Sequence, residues 1–104
     1  MAAEPSHPWQ TTEIKELSEA IASLRSPDEV GLFLRDLCTM SELEAMAHRW
    51  QVARLLEEGL PYLVIRRRTH ASTTTVTRVA HWLRHGEGGY RLLLDRLRRR
   101  RQTA

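Results

Sequence analysis

Between Leu43 and Leu56 the apolar residues Leu43, Met46, Ala47, Trp50, Val52, Ala53 and Leu56 wrap more than one side of a helix. A helix that is apolar beyond a single stripe must be covered on several sides. With 104 residues the chain makes one domain and buries roughly two-thirds of its unfolded surface at best. So small a domain is too thin to surround this helix, which predicts packing against a second subunit. Thr39-Met40-Ser41-Glu42 starts the helix with capping-box spacing, and Gly59 ends it as the C′ residue. It is the longest helix expected, at about 18–20 residues.

The flanking segments punctuate themselves as helices too. Met1–Gln10 holds two prolines and no apolar period, and is expected to be a loose tail. Thr11 or Thr12 can cap a first helix whose stripe is Ile14, Leu17, Ile21 and Leu24. Ser26-Pro27-Asp28-Glu29 opens a second one, with Ser26 as N-cap, Pro27 in the first helical position and Glu29 closing a capping box. Val30, Phe33, Leu34 and Leu37 form its inner face.

Beyond Gly59, Pro61–Arg68 reads as a short helix with Leu63, Val64 and Ile65 as its apolar group, and Thr69-His70-Ala71 as a turn. Ser72 caps a further helix through Val76, Val79, Ala80 and Leu83, stopping at Gly86. Thr73-Thr74-Thr75 has poor helix propensity, since β-branched side chains lose rotamer freedom there. The one-face spacing of the valines decides for helix over strand. Gly86-Glu87-Gly88-Gly89 is a turn or hinge, and Tyr90, Leu93, Leu94 and Leu97 mark a last helix ending in Arg98–Arg101. No segment alternates as a strand does, so the fold class is all-α. The expected division is a flexible tail over 1–10 and a single helical domain over 11–104. Within that domain, 11–59 is a dimerisation core, 60–86 a helix-turn-helix head and 90–101 a C-terminal helix.

Charge divides at the same place. Residues 1–58 hold 5 basic and 11 acidic side chains, a balance of −6, whereas residues 59–104 hold 11 basic and 2 acidic, a balance of +9. Only the back half is therefore suited to an anionic partner, and the acidic front would orient the molecule by repelling the same partner. Of the 16 basic residues 15 are arginine, whose planar fork suits phosphate, although a GC-rich genome gives the same bias. No apolar run is long enough to span a bilayer and no signal peptide is visible, so a cytoplasmic protein without membrane attachment is expected. Cys38 stands alone, which excludes an internal disulfide and a cysteine-based zinc site, and reads as a small apolar residue.

Two short helices and a tight turn in the basic half predict a helix-turn-helix on double-stranded DNA. The first helix would cross the phosphate backbone and the second would put its N-terminal residues into the major groove. Arg66, Arg67, Arg68 and Arg84 would neutralise phosphates, with His70 in the turn beside them. Ser72, Thr73, Thr74, Thr75 and Thr77 offer hydroxyls to phosphates or base edges, and methyls to thymine. The bland alternatives are a solvated basic face and a frayed helix start. The Arg98–Arg101 run fits a favourable helix C-terminus as well as a nucleic-acid contact.

Catalytic and metal constellations are missing from the pattern. His7, His48, His70, His81 and His85 are scattered; His81 and His85 share a helix face but have no further ligand and read as surface histidines. No nucleophile, base and orienter can be assembled, so the chain is not expected to be an enzyme. The competing function is a protein-interaction module without specific DNA binding, using the leucines Leu92, Leu93, Leu94 and Leu97.

The stretch Arg49-Trp50-Gln51-Val52-Ala53-Arg54-Leu55-Leu56-Glu57-Glu58-Gly59 resembles the third core helix of the Trp repressor superfamily. Ser72-Thr73-Thr74-Thr75-Val76-Thr77-Arg78-Val79 resembles its recognition helix, and Gly86-Glu87-Gly88-Gly89-Tyr90 looks like the TrpR-related YerC/YecD branch. The resemblance runs from Val30 to Leu97. It implies an intertwined helical homodimer that acts as a repressor, with two heads reaching successive major grooves of a palindromic operator, half-sites ~34 Å apart. It also implies an effector pocket. Arg49 and Arg78 match the arginines that sandwich an indole in tryptophan-binding members, while Val79 and Trp82 stand where those members have a space-leaving glycine and a serine. The expectation is that tryptophan is not a corepressor, that no cofactor is used and that any small-molecule effector is unidentified. A structural role for Arg49 and Arg78, pairing with acids at a dimer interface, is the alternative.

Overall fold

A computed structural model describes residues 8–103 of the chain. Every regular element in that range is helical. The helices are α1 (Thr12–Ala22), α2 (Pro27–Leu37), α3 (Met40–Glu57), α4 (Tyr62–Thr69), α5 (Thr73–His85) and α6 (Gly89–Thr103). Most of the tail expected over Met1–Gln10 lies outside the described residues. The chain divides into two compact units after Met40.

In the first unit, Thr11 caps α1, its Oγ1 accepting from the Ile14 amide at 3.2 Å. Ser26 caps α2 through the Glu29 amide at 3.1 Å, with Pro27 in the first turn. The Glu29 carboxylate accepts from the amide of Arg25, one residue before the cap, at 2.8 Å. The box expected at Ser26 is therefore displaced by one residue, because the extended Ser26 (φ −152°) brings the preceding amide within reach. Neither helix buries a residue. Ile14, Leu17 and Ile21 stay about 38–39% exposed along the stripe of α1, and Leu37, expected inside, is exposed.

The second unit contains the core. Val52, Ala53 and Leu55 of α3, Ile65 of α4, and Val76 and Val79 of α5 form one buried cluster, with Trp50, Leu56, Leu60, Ala71 and Tyr90 packed around it. Burying side chains of this size stabilises the fold by about 1.5–3 kcal/mol each. Of the residues expected to wrap α3, Leu43, Met46, Trp50 and Leu56 are only half-buried and Ala47 is exposed. The core thus covers the C-terminal half of the helix.

α3 ends as its glycine dictates. Gly59 takes φ +82°, its amide donates to the Leu56 carbonyl at 3.0 Å, and the Leu60 amide reaches back to Leu55 at 3.3 Å. A side chain would be strained in that backbone conformation. In α4 only Ile65 of the expected apolar trio is fully buried; Leu63 is 54% exposed, since an eight-residue helix turns one narrow face to the core. α6 extends two residues beyond the expected Arg101.

Candidate nucleic-acid interface

The turn between α4 and α5 is held by a residue the sequence placed outside the helix. Thr69 is the last residue of α4 and is buried. Its Oγ1 donates to the Ile65 carbonyl at 2.7 Å and accepts from the Ala71 amide at 3.1 Å. One side chain therefore satisfies a carbonyl at the helix end and an amide of the turn. His70 follows with φ +60°, the left-handed conformation that reverses the chain. Ser72 then opens α5, its Oγ accepting from the Thr75 amide at 3.1 Å and lying 3.1 Å from the Thr75 hydroxyl.

These caps aim α5. Val76, Val79 and Ala80 are buried. At 100° per residue that leaves Thr74, Thr77, Arg78, His81 and His85 on the opposite, exposed arc, with Thr73 and Arg84 exposed on the flank beside Ala80. Thr75 is half-buried and faces elsewhere. The helix carries no carboxylate. Arg66, Arg67 and Arg68 are exposed in the last turn of α4, and Arg66 and Arg67 line a 300 Å³ groove with Leu63, His70 and Ala71. The structure thus gathers the arginine triplet, His70, Ser72 and the head of α5 around one turn. Arg84 stands apart, in the last turn of α5.

A second hollow, about 510 Å³, lies behind the turn. Arg49 and Arg78 both line it, with His48, His70 and Thr75 as further polar groups. Neither arginine makes an ion pair or hydrogen bond among the described residues. Val79 is in the core and shows its surface to the hollow, being 2% exposed. Trp82 sits at the rim, 55% exposed, and borders a more apolar groove with Trp50, Tyr90 and Leu93.

The basic end of α6 is partly neutralised. Arg91 bonds Glu57 at 2.6 Å and also meets Asp95, which in turn contacts Arg98 at 3.3 Å. The hydrogen bond to Glu57 holds the Arg91 guanidinium more firmly charged than usual. Among the described residues no group of three or more potential ligands could hold a metal, and no helix is long and apolar enough to cross a membrane. His81 and His85, expected to be surface histidines, are both exposed.

The family model described as Trp repressor protein matches residues 12–98. The Bacillus subtilis protein known as uncharacterized protein YerC is 41% identical over 86 residues, 83% of each chain. The crystal structure of a TrpR like protein from Eubacterium eligens superposes with a TM-score of 0.81 at 39% identity, covering 85% of this chain and 91% of that one. A crystal structure from Staphylococcus aureus superposes equally well, with a TM-score of 0.81 at 35% identity over 86% of this chain and 89% of that one.

Proposed function

The chain belongs to the Trp repressor protein family, and from that premise we propose that it is a sequence-specific DNA-binding regulator, acting as a homodimeric repressor on a palindromic operator. The observation that carries the reading is the α5 surface. A carboxylate-free helix presents hydroxyls at its exposed N-terminal turns, directly after a turn flanked by three exposed arginines. That is the composition of a groove-reading helix with a phosphate clamp. In this role Thr73, Thr74 and Thr77 meet base edges, Arg66, Arg67 and Arg68 meet phosphates with His70 and Ser72 at the turn, and Arg84 serves as an outer phosphate contact. Thr75 is the weakest of the expected contacts, since it is half-buried and turned toward the hollow.

The homodimer is supported by what one protomer leaves uncovered. α1 and α2 bury nothing, and the front of α3 is only half-covered. A second copy is the partner that a symmetric operator requires. The family is one of regulators and not of enzymes. The protein would act in the cytoplasm, where its DNA is.

Selection of bound fragments from genomic DNA tests the reading. The expected result is a palindrome with half-sites one helical turn apart. Arg66→Ala with Arg68→Ala should weaken binding and flatten the logarithmic salt dependence by about 0.9 per lost phosphate contact. No enriched fragment, together with a stoichiometric protein partner, would favour an interaction module instead. The exposure of Leu92 and Leu93 on α6 gives that reading its only support.

A further inference from the structure

We propose that Arg78 is the specificity-determining residue of the interface, its guanidinium reading one guanine of each operator half-site through paired hydrogen bonds to O6 and N7. The inference rests on the DNA-binding reading above and adds to it a residue and a base.

The place of Arg78 on α5 carries the argument. The buried Val76, Val79 and Ala80 fix which way the helix faces. Thr74 and Arg78, one turn apart, both lie within about 30° of the direction opposite that face. Both are exposed. They stand on the line of the helix that goes deepest when its N-terminal turns occupy a major groove. Thr73 and Thr77 lie to one side of that line. His81 is the next residue along it, but it comes a turn later and its ring packs edge-on against the Trp82 indole, centroids 5.8 Å apart.

Chemistry selects the base. A threonine hydroxyl both donates and accepts, so Thr74 and Thr77 can bond to any base edge and fix no sequence by themselves. Arg78 is the one side chain in the first two turns of α5 with a rigid, donor-only fork. Guanine alone presents two acceptors side by side in the major groove, and the fork matches them. Nothing in the protein competes for it. Arg78 makes no ion pair or hydrogen bond among the described residues, and its own helix has no carboxylate. Arg78 and Arg49 both border the 510 Å³ hollow behind the turn, and no carboxylate lines that hollow. Two like charges there repel each other, so the hollow does not hold the guanidinium back from DNA. The competing role is a phosphate contact, which carries no sequence information and is separated by the test.

Selection from a random duplex pool with the full-length parent and with Arg78→Ala tests the assignment. The parent should enrich half-sites holding one guanine whose replacement by adenine weakens binding about 10- to 100-fold. Arg78→Ala should lose the preference at that position and keep the others. In the same operator, 7-deazaguanine, which lacks the N7 acceptor, should weaken binding by the parent and leave binding by Arg78→Ala unchanged from its own value on guanine. The base substitution needs no protein variant, so the parent's arm stands whatever Arg78→Ala does to stability. The proposal is overturned if the parent tolerates 7-deazaguanine at every guanine, if Arg78→Ala keeps the full guanine preference, or if Arg78→Ala weakens all sequences alike, as loss of a phosphate contact would. A parent that enriches no sequence overturns the DNA-binding reading and this inference with it, whereas an enriched operator with an unmoved guanine preference overturns the inference alone.

Discussion

The indole of Trp50 lies parallel to the phenol ring of Tyr90, with centroids 6.4 Å apart and 9° between the planes. The pair ties the middle of α3 to the first turn of α6, and both rings pack on the core cluster. Tyr90→Ala should destabilise the protein by about 2 kcal/mol, less than a fully buried aromatic would cost because Tyr90 is half-buried. Tyr90→Phe should fall within about 0.5 kcal/mol of the parent, since the hydroxyl has no hydrogen bond among the described residues. Urea denaturation at a fixed protomer concentration measures both, and a larger cost for Phe than for Ala would refute the stacking account.

Ser72 has a structural task and a proposed functional one, and two substitutions separate them. Ser72→Ala removes the cap on Thr75 and should cost about 1 kcal/mol of stability. Ser72→Asp restores a capping oxygen and favours the helix N-terminus electrostatically, so stability should return to near the parent's. A carboxylate at that position faces the phosphates in the proposed complex, so DNA affinity should fall in the Asp variant although its fold is intact. Thermal unfolding and a DNA titration of the same two proteins check this. Equal DNA binding by the Asp variant and the parent would remove Ser72 from the interface.

Much of this architecture was legible because local chemistry fixed it. Gly59 ends α3 in the one backbone conformation that favours glycine, and Ser26 and Ser72 cap the helices their neighbours announce. Thr73-Thr74-Thr75 folds as helix against its propensity because Val76, Val79 and Ala80 need a common face on the core. What escaped depended on distances along no single helix. Leu63 read as core, yet the one face of α4 that reaches the cluster belongs to Ile65 and Thr69. Thr69 read as turn because its back-bond to Ile65 has no signature in composition. Trp82 stands at the rim of the hollow; spacing gave its helical face but not its exposure.

Gly86 leaves room for the last turn of α5. A Cβ at this position would run into the carbonyl oxygen of Trp82 and press to 3.0 Å from its ring carbon Cε3. Backbone atoms cannot swing aside as a flexible side chain can, so Gly86→Ala should cost about 1–3 kcal/mol. The shift should also register in the fluorescence of Trp82, measured in a variant whose other two tryptophans, Trp9 and Trp50, are replaced by phenylalanine. An unchanged urea midpoint would show that the α5–α6 turn relaxes freely.

Free tryptophan should not act as the effector. Arg49 and Arg78 border one hollow and could in principle grip a planar anion between them. Val79, however, places a branched side chain on its wall, and that side chain is also part of the core, so it cannot retreat without opening a cavity. Trp82 adds an indole at the rim, where it competes for the aromatic surface a second indole would use. Isothermal titration should therefore show no binding of L-tryptophan tighter than about 100 μM, and operator affinity should be the same with and without it. Trp82→Ser is expected to leave the protein folded, because the ring is 55% exposed. It should not by itself create a tight tryptophan site, since Val79 still occupies the wall. Micromolar binding to the parent would mean that the hollow opens around Val79 as a ligand enters.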